Sequence, residues 1–157
     1  MTRELRVVPD KVLRIPCKPL KSITARIESV AEDLVNYMYD HREDEVAPVS
    51  MAGPQLGESV RVIAFFPNPS YREKEGIDVL INPELTKSSK FALLRETCLS
   101  LPGKAFFVKR AKRVKVRGLN IYGKYKSYKA ADLLAQMLQH EIDHLDGKLI
   151  DETGRKL

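Results

Sequence analysis

A strongly apolar helix predicted near the end of the chain constrains the fold more than any other segment. Apolar side chains recur at helical spacing over about residues 130–145, and Gly147 follows as a helix-terminating residue. The same stretch contains the pattern H-E-x-x-H at His140, Glu141 and His144. Because so apolar a helix has to be enclosed by other elements, we predict an inward-facing helix that carries two histidines into the protein.

The two histidines of this pattern are suited to binding one metal ion. Residues four apart lie one above the other on a helix face, so both imidazoles can reach the same ion while the glutamate between them sits beside the open coordination position. Two of the three histidines in the chain fall at this spacing. The alternative interpretation is an exposed polar helix end, which the apolar character of the helix disfavours. The sequence therefore predicts a metal site.

A catalytic metal site of this kind needs a third protein ligand and a position for water. The acidic residues that follow the helix, Asp146, Asp151 and Glu152, are too close in sequence to fold back easily. We therefore expect the ligand from upstream, where Cys98 follows a predicted strand and is the natural candidate. Cys17 lies in an irregular, proline-flanked stretch and is expected to be an inert buried thiol.

The rest of the chain is expected to surround that helix with strands. Helical spacing of apolar residues predicts a first helix that begins after Ser22 or Thr24 and runs to about His41. Short apolar runs predict strands, and a change of parity suggests a bulge at Gly118. The strands are expected around residues 60–64, 79–81, 85, 91–94, 106–108, 114–121 and 125–128. We predict one α+β domain over residues 1–157, with largely antiparallel β-sheets around the central C-terminal H-E-x-x-H helix and the N-terminal helix packed outside.

The composition is that of an ordinary globular protein, at 43% hydrophobic and 31% charged residues. No run approaches the ~20 apolar residues of a membrane span, and the first residues have no signal-peptide pattern, so we expect a cytoplasmic protein. The formal net charge of +6 permits a polyanionic partner without requiring one. One basic set is expected to form the solvated face of a strand; it comprises Lys109, Arg110, Lys112, Arg113, Lys115 and Arg117.

Three blocks of the sequence resemble conserved blocks of the peptide deformylase family and occur in the order that they have there. Residues 139–147 match the family pattern Q-H-E-x-D-H-L-x-G fully, and residues 96–100 resemble E-G-C-L-S with threonine in place of glycine. Residues 48–57 resemble a block that contains G-x-G-x-A-A-x-Q. The similarity spans nearly the whole chain, so the sequence resembles a divergent peptide deformylase.

The departures from the family pattern are Pro48, Ser50 and Gly53 in the first block and Thr97 directly before the cysteine. Proline and side-chain-bearing residues stand where the family has glycines, which permit close backbone approach. The changes at Ser50 and Thr97 border the expected substrate channel and not the metal. We therefore expect altered efficiency or substrate preference, and a gain in kcat/KM on restoring Ser50→Gly or Thr97→Gly unless neighbouring substitutions compensate.

The resemblance implies a role for each site residue. It implies metal ligation by Cys98, His140 and His144, acid–base catalysis by Glu141, and binding of the formyl oxygen by Gln55 and the backbone N–H of Leu99. It favours Fe²⁺, while Zn²⁺, Ni²⁺ or Co²⁺ also suit one thiolate and two imidazoles. The implied reaction is hydrolysis of the N-formyl group from the N-terminal formyl-methionine of nascent polypeptides, with release of formate.

The expected partners are therefore N-formylmethionyl peptides, with no membrane and no specific nucleic acid. A transient ribosome contact is left open; in some relatives a further helix makes it, whereas this sequence ends at Leu157. Leu133 and Met137 share the helix face of His140 and are either an apolar wall for the substrate's methionine or core residues. Two other functions stay open: a deformylase-like metal-binding protein with lost or altered substrate specificity, and an H-E-x-x-H peptidase, which the missing downstream ligand disfavours.

Overall fold

Both predicted helices are present in the computed structural model, which describes residues 3–156. The first, α1 (Ala25–Asp40), begins after Thr24, whose side-chain oxygen accepts a hydrogen bond from the Ile27 N–H. The second, α2 (Asp132–Leu145), is followed by Gly147 in the left-handed conformation, at φ +73°. It begins two residues later than predicted because residues 130 and 131 still pair with a neighbouring strand.

Six strands of residues 3–156 form one antiparallel sheet. The strands are β1 (Ser50–Ala52), β2 (Val62–Phe65), β3 (Asp78–Thr97), β4 (Ala105–Leu119), β5 (Tyr125–Ala131) and β6 (Gly154–Lys156). They lie in the order β1-β2-β3-β4-β5, and β6 pairs with the first part of β4. A short helix, α3 (Ile150–Thr153), precedes β6. The fold is the predicted α+β arrangement.

The strands predicted separately around residues 79–81, 85 and 91–94 are one 20-residue strand, β3. Its middle, residues 84–91, is exposed on both faces, so the apolar alternation that marks a half-buried strand is interrupted there. The strand continues because it pairs with β4 up to Thr97, opposite Ala105. A long hairpin therefore carries the chain from the core to residue 98.

The predicted bulge at Gly118 lies on the neighbouring strand instead. Pairing of β4 with β5 continues through Gly118, whereas the β3–β4 register shifts between Ile81 and Glu84 and again between Leu85 and Lys87. A Cβ on Gly118 would lie 3.0 Å from the Ile81 carbonyl oxygen. The glycine is needed because the bulged β3 backbone passes close to it.

The two helices cover opposite faces of the sheet, and β2 lies between them. Val62 and Ala64 point into the cluster that includes α1, whereas Ile63 and Phe65 point into the cluster that includes α2. This alternation places α1 and α2 against opposite faces of the sheet. No helix within residues 3–156 is long and apolar enough to cross a membrane.

Candidate metal centre

Three potential metal ligands from two distant parts of the chain meet beside α2. One ligand atom each of Cys98, His140 and His144 lies within 4.8 Å of the others. The Cys98 Sγ is 3.4 Å from the His144 Nε2, close to the separation of about 3.5 Å that a tetrahedral ion with ordinary Zn–S and Zn–N bonds would impose. The distances and the donor types therefore fit one divalent ion.

The sheet and α2 bring these ligands together. Cys98 directly follows the last residue of β3, and the Leu101 N–H donates to its carbonyl oxygen at 3.0 Å, which closes a turn. Gln139 ties α2 to β4 because its side chain accepts from the Ala111 N–H at 2.9 Å and donates to the Ala111 carbonyl at 2.8 Å. With α2 held across the sheet, His140 and His144 on consecutive turns face the end of β3.

A buried ion network lies behind the imidazole of His140. Glu96 Oε1 is 2.7 Å from His140 Nδ1. Arg110 donates to both oxygens of Glu96, from Nε at 2.6 Å and from Nη2 at 2.9 Å, and from Nη1 to Asp143 at 2.5 Å. Burial by itself would raise the pKa of Glu96, but the hydrogen bonds with Arg110 and His140 outweigh it and lower that pKa to about 2. An ionised Glu96 can only accept, so His140 donates from Nδ1, which leaves Nε2 as the ring nitrogen that would bind a metal.

The network corrects one prediction and adds residues that the sequence analysis missed. Arg110 was expected on the solvated face of a strand, and that expectation is wrong because its side chain is 5% exposed. The available signal was parity, since Arg110 shares its side of β4 with the buried residues Phe106 and Val108. Glu96 is the first residue of the block at 96–100, to which the sequence pattern assigns no role.

The two carboxylate oxygens of Glu141 differ in their hydrogen bonding within the described residues. It is 2% exposed, and its Oε1 accepts a hydrogen bond from the Ser50 hydroxyl at 2.7 Å. Its Oε2 has no hydrogen-bond partner within residues 3–156, and the same is true of His144 Nδ1. Burial raises the pKa of Glu141. A buried carboxylate with one unsatisfied oxygen is suited to exchange a proton with a small molecule such as water.

Gln55 lies beside the Cys98 thiol in the short helix Gly53–Leu56. Its Oε1 accepts from the Ala52 N–H at 3.0 Å, and its Nε2 lies 3.3 Å from the Ser100 Oγ and 3.8 Å from the Cys98 Sγ. The backbone contact fixes which end of the amide faces the thiol. Gln55 therefore presents an N–H donor next to the three ligands.

One open cavity of about 210 Å³ joins these groups. Its lining includes Gln55, Leu99, His140 and Glu141, together with the flanking segments 46–50 and 95–98. Leu133 and Met137 also line the cavity, and Leu133 is 49% exposed, so it is a wall residue and not part of the core. The structure thus brings every predicted site residue except His144 to the lining of this cavity, and His144 lies directly behind it against Cys98.

The remaining candidate ligands lie elsewhere. Asp151 and Glu152 pair with Arg14, and Asp146 pairs with Arg61. Cys17 is buried, and burial raises the pKa of its thiol. Within the described residues, these acidic side chains and Cys17 therefore lie outside the group formed by Cys98, His140 and His144.

Comparisons with known proteins agree with this geometry. The family model described as Polypeptide deformylase matches residues 2–156. The chain is 39% identical to a peptide deformylase of Dictyoglomus thermophilum over 152 residues, which cover 96% of this chain and 91% of that protein. It superposes on the crystal structure of a peptide deformylase from Legionella pneumophila with a TM-score of 0.85 and 34% identity, covering 98% of this chain and 86% of that one. For the Thermotoga maritima peptide deformylase the TM-score is 0.84 at 30% identity, with 98% and 97% covered.

Proposed function

The chain belongs to the peptide deformylase family, and from this premise we propose that Cys98, His140 and His144 hold its metal ion. Its activity is the metal-dependent hydrolysis of the N-formyl group from nascent polypeptides. The observation that carries the site assignment is the meeting of one thiol and two imidazoles within 4.8 Å, beside a buried carboxylate. We further propose that residues 1–157 are one domain, because both long helices pack on one sheet.

Two alternatives from the sequence receive no support. The family match and the curated relatives are deformylases, so nothing favours a binding protein with a lost substrate. A peptidase would need a ligand after the metal helix, and the acidic side chains there pair with Arg14 and Arg61 instead.

Fe²⁺ is the ion that we propose for this site. A set of one thiolate and two imidazoles also suits Zn²⁺, Co²⁺ and Ni²⁺, and the resemblance to the family favours iron. When bound, the ion would polarise the formyl carbonyl and lower the pKa of a water molecule. Anaerobic purification followed by metal analysis, with activity measured after loading each ion, tests the assignment.

Glu141 is the proposed acid and base. Its unpartnered Oε2 would take a proton from the attacking water and then deliver it to the departing amine. Burial favours this exchange, because it raises the pKa of the carboxyl above its ordinary value.

Gln55 and the Leu99 backbone N–H are proposed to bind the formyl oxygen. The Gln55 amide is already oriented by Ala52, so it needs no rearrangement when negative charge develops on that oxygen. Leu99 follows the metal cysteine and lines the same cavity. Two donors placed in advance would stabilise the transition state more than the substrate.

The substrate's methionine would lie against Leu133 and Met137, which are two turns and one turn before His140 on α2. These side chains give the cavity an apolar wall close to the ligands. The peptide backbone would run along β1, an end strand of the sheet order, whose Ser50 also lines the cavity. N-formylmethionyl peptides fit this arrangement.

A transient ribosome contact is proposed for a basic surface formed by β3, β4 and β5. Lys115 on β4 lies directly opposite Lys87 on β3 and Lys129 on β5. With Arg113 they line one open concavity, and no acidic residue is among the described residues of its lining. Like charges in register repel one another, which favours contact with a polyanion such as ribosomal RNA.

Sedimentation with ribosomes tests this contact. Lys115→Glu and Lys129→Glu should each reduce the fraction of protein that pellets with ribosomes, whereas Lys148→Glu, on an exposed lysine outside the concavity, should not. Equal pelleting of all three variants would contradict the proposal.

The cytoplasm is the compartment that we propose for this activity.

The central test of the function is formate release from formyl-Met-Ala-Ser after anaerobic loading with Fe²⁺. Turnover by the loaded protein, and its absence after the ion is removed by a chelator, are expected. A loaded protein that releases no formate would contradict the proposed function.

A further inference from the structure

The side chain of Ser50 connects β1 to the carboxylate of Glu141 on α2. Its hydroxyl donates to Oε1 at 2.7 Å across 91 residues of sequence. The backbone of Ser50 is held in the sheet, because it pairs with Phe65 of β2. The donor is therefore fixed by the sheet and independent of the helix that carries Glu141.

This contact distinguishes the two oxygens of the carboxylate. Oε1 is engaged by Ser50, whereas Oε2 has no partner within residues 3–156. The terminal torsion of a glutamate is broad, so an unrestrained carboxylate would sample several orientations. A single strong hydrogen bond from a fixed hydroxyl restricts this rotation and determines which oxygen stays free.

The other polar groups around the site are already engaged. Gln55 bonds to Ala52 and lies within hydrogen-bond distance of Ser100, and Arg110 bonds to Glu96 and Asp143. Glu96 also occupies the Nδ1 of His140. Within the described part of the chain, Ser50 is thus the residue whose side chain holds the Glu141 carboxylate.

We infer that Ser50 is a positioning residue of this enzyme: its hydroxyl holds Glu141 Oε1, so that Oε2 faces the reacting water. The inference rests on the proposed role of Glu141. It also reverses an expectation from the sequence, in which Ser50 interferes with the substrate channel and Ser50→Gly improves catalysis. Because the hydroxyl points to the carboxylate, its removal should harm the chemical step and leave substrate binding largely unchanged.

The test compares Ser50→Ala and Ser50→Gly with Ser50→Thr, which keeps the hydroxyl and is tolerated in a strand. With formyl-Met-Ala-Ser and the Fe²⁺-loaded proteins, kcat should fall about 3- to 10-fold in the alanine and glycine variants, KM should change less than kcat, and threonine should restore kcat. Ser127→Ala, which removes a hydroxyl from an exposed position of β5, is the matched control and should match the parent.

Structure and metal content separate this inference from the proposed function. Bound iron should be unchanged in every Ser50 variant, and a crystal structure of Ser50→Ala should show the Glu141 carboxylate rotated or in two orientations. An unchanged or higher kcat in Ser50→Ala, a loss that Ser50→Thr shares, or a single unaltered carboxylate orientation would overturn the inference. An inactive parent protein would instead contradict the proposed function, and the crystal structure would still test the hydrogen bond.

Discussion

Arg110 donates to both carboxylate oxygens of Glu96, from Nε at 2.6 Å and from Nη2 at 2.9 Å. The pair lies across neighbouring strands and is almost fully buried, at 5% and 7% exposure. Glu96 in turn contacts His140, so the guanidinium determines the orientation of a proposed metal ligand that it does not touch.

Replacing Arg110 with methionine should destabilise the protein and weaken metal binding. The change leaves Glu96 as a buried charge without its cation, which typically costs about 3–5 kcal/mol. Glu96, the partner behind His140, is then no longer held in place, and disturbing such a partner typically lowers metal affinity about 10- to 100-fold. Urea unfolding and a Zn²⁺ titration against a competing chelator measure the two effects.

Arg117→Met is the matched control for that substitution. Arg117 lies on the same strand and pairs with Glu84 at 3.3 Å, but both side chains are exposed. Such a pair contributes about 1 kcal/mol or less. Equal loss of stability in the two variants would show that burial of the Arg110–Glu96 pair does not account for the destabilisation.

Cys98→Ala should remove the metal, whereas Cys17→Ala should retain it. Both thiols are buried, but Cys98 lies 3.4 Å from His144, and the Cys17 thiol contacts the Ile15 carbonyl at 3.9 Å. Two imidazoles alone bind a divalent ion less tightly than a set that includes a thiolate. Metal analysis after dialysis against a weak chelator gives the result, and full metal content in Cys98→Ala would contradict the site.

Glu141→Gln should strongly reduce turnover and leave the bound ion in place. The amide keeps the size of the carboxylate and can still accept from Ser50, but it cannot take up a proton from water. A contribution from acid–base catalysis predicts a fall in kcat of about 100- to 10,000-fold. Formate release and bound iron are measured on the same sample, with Glu84→Gln on the surface as the control. A variant that keeps a tenth of the parent rate would exclude Glu141 as the acid and base.

Tyr128→Phe should lower the stability of the protein at neutral pH. Between neutral and alkaline pH, the variant should then lose less stability than the parent does. The Tyr128 hydroxyl donates to Asp78 Oδ2 at 2.6 Å. Burial and the neighbouring Asp78 raise the pKa of Tyr128, since both disfavour the phenolate. A pKa raised by folding stabilises the protein below the tyrosine's unfolded pKa of about 10, and this contribution is lost as pH rises further.

Urea denaturation at pH 7, 9 and 11 measures this dependence. At pH 7 the variant should lose about 1 kcal/mol, the usual net value of one hydrogen bond. Tyr122→Phe is the control, because Tyr122 is 84% exposed. If the two variants lose stability in parallel with the parent from pH 9 to 11, the Tyr128–Asp78 contact does not account for the alkaline behaviour.

Local sequence signals predicted the two long helices and the pair of histidines. Thr24 caps α1, Gly147 follows α2, and the spacing of four residues places His140 and His144 on one face. Each of these features depends on residues within one or two turns, so the chain's local chemistry is sufficient to specify it. The departures at Ser50 and Thr97 were also visible, although the direction in which Ser50 points was not.

Strand lengths and pairings were harder to predict because neighbouring strands supply the missing information. The polar, exposed middle of β3 lacks an apolar pattern, and only its ladder with β4 makes it continuous. For the same reason the irregularity opposite Gly118 was predicted on the wrong strand.

The amino-acid sequence by itself therefore determined the helices and the two-histidine motif and, through the family resemblance, pointed to Cys98 as the proposed third ligand. Only the tertiary structure decided that Arg110 turns inward to Glu96 and that Ser50 holds Glu141. The physical reason is that these contacts join positions 14 and 91 residues apart, whose approach depends on strand register and on how α2 crosses the sheet.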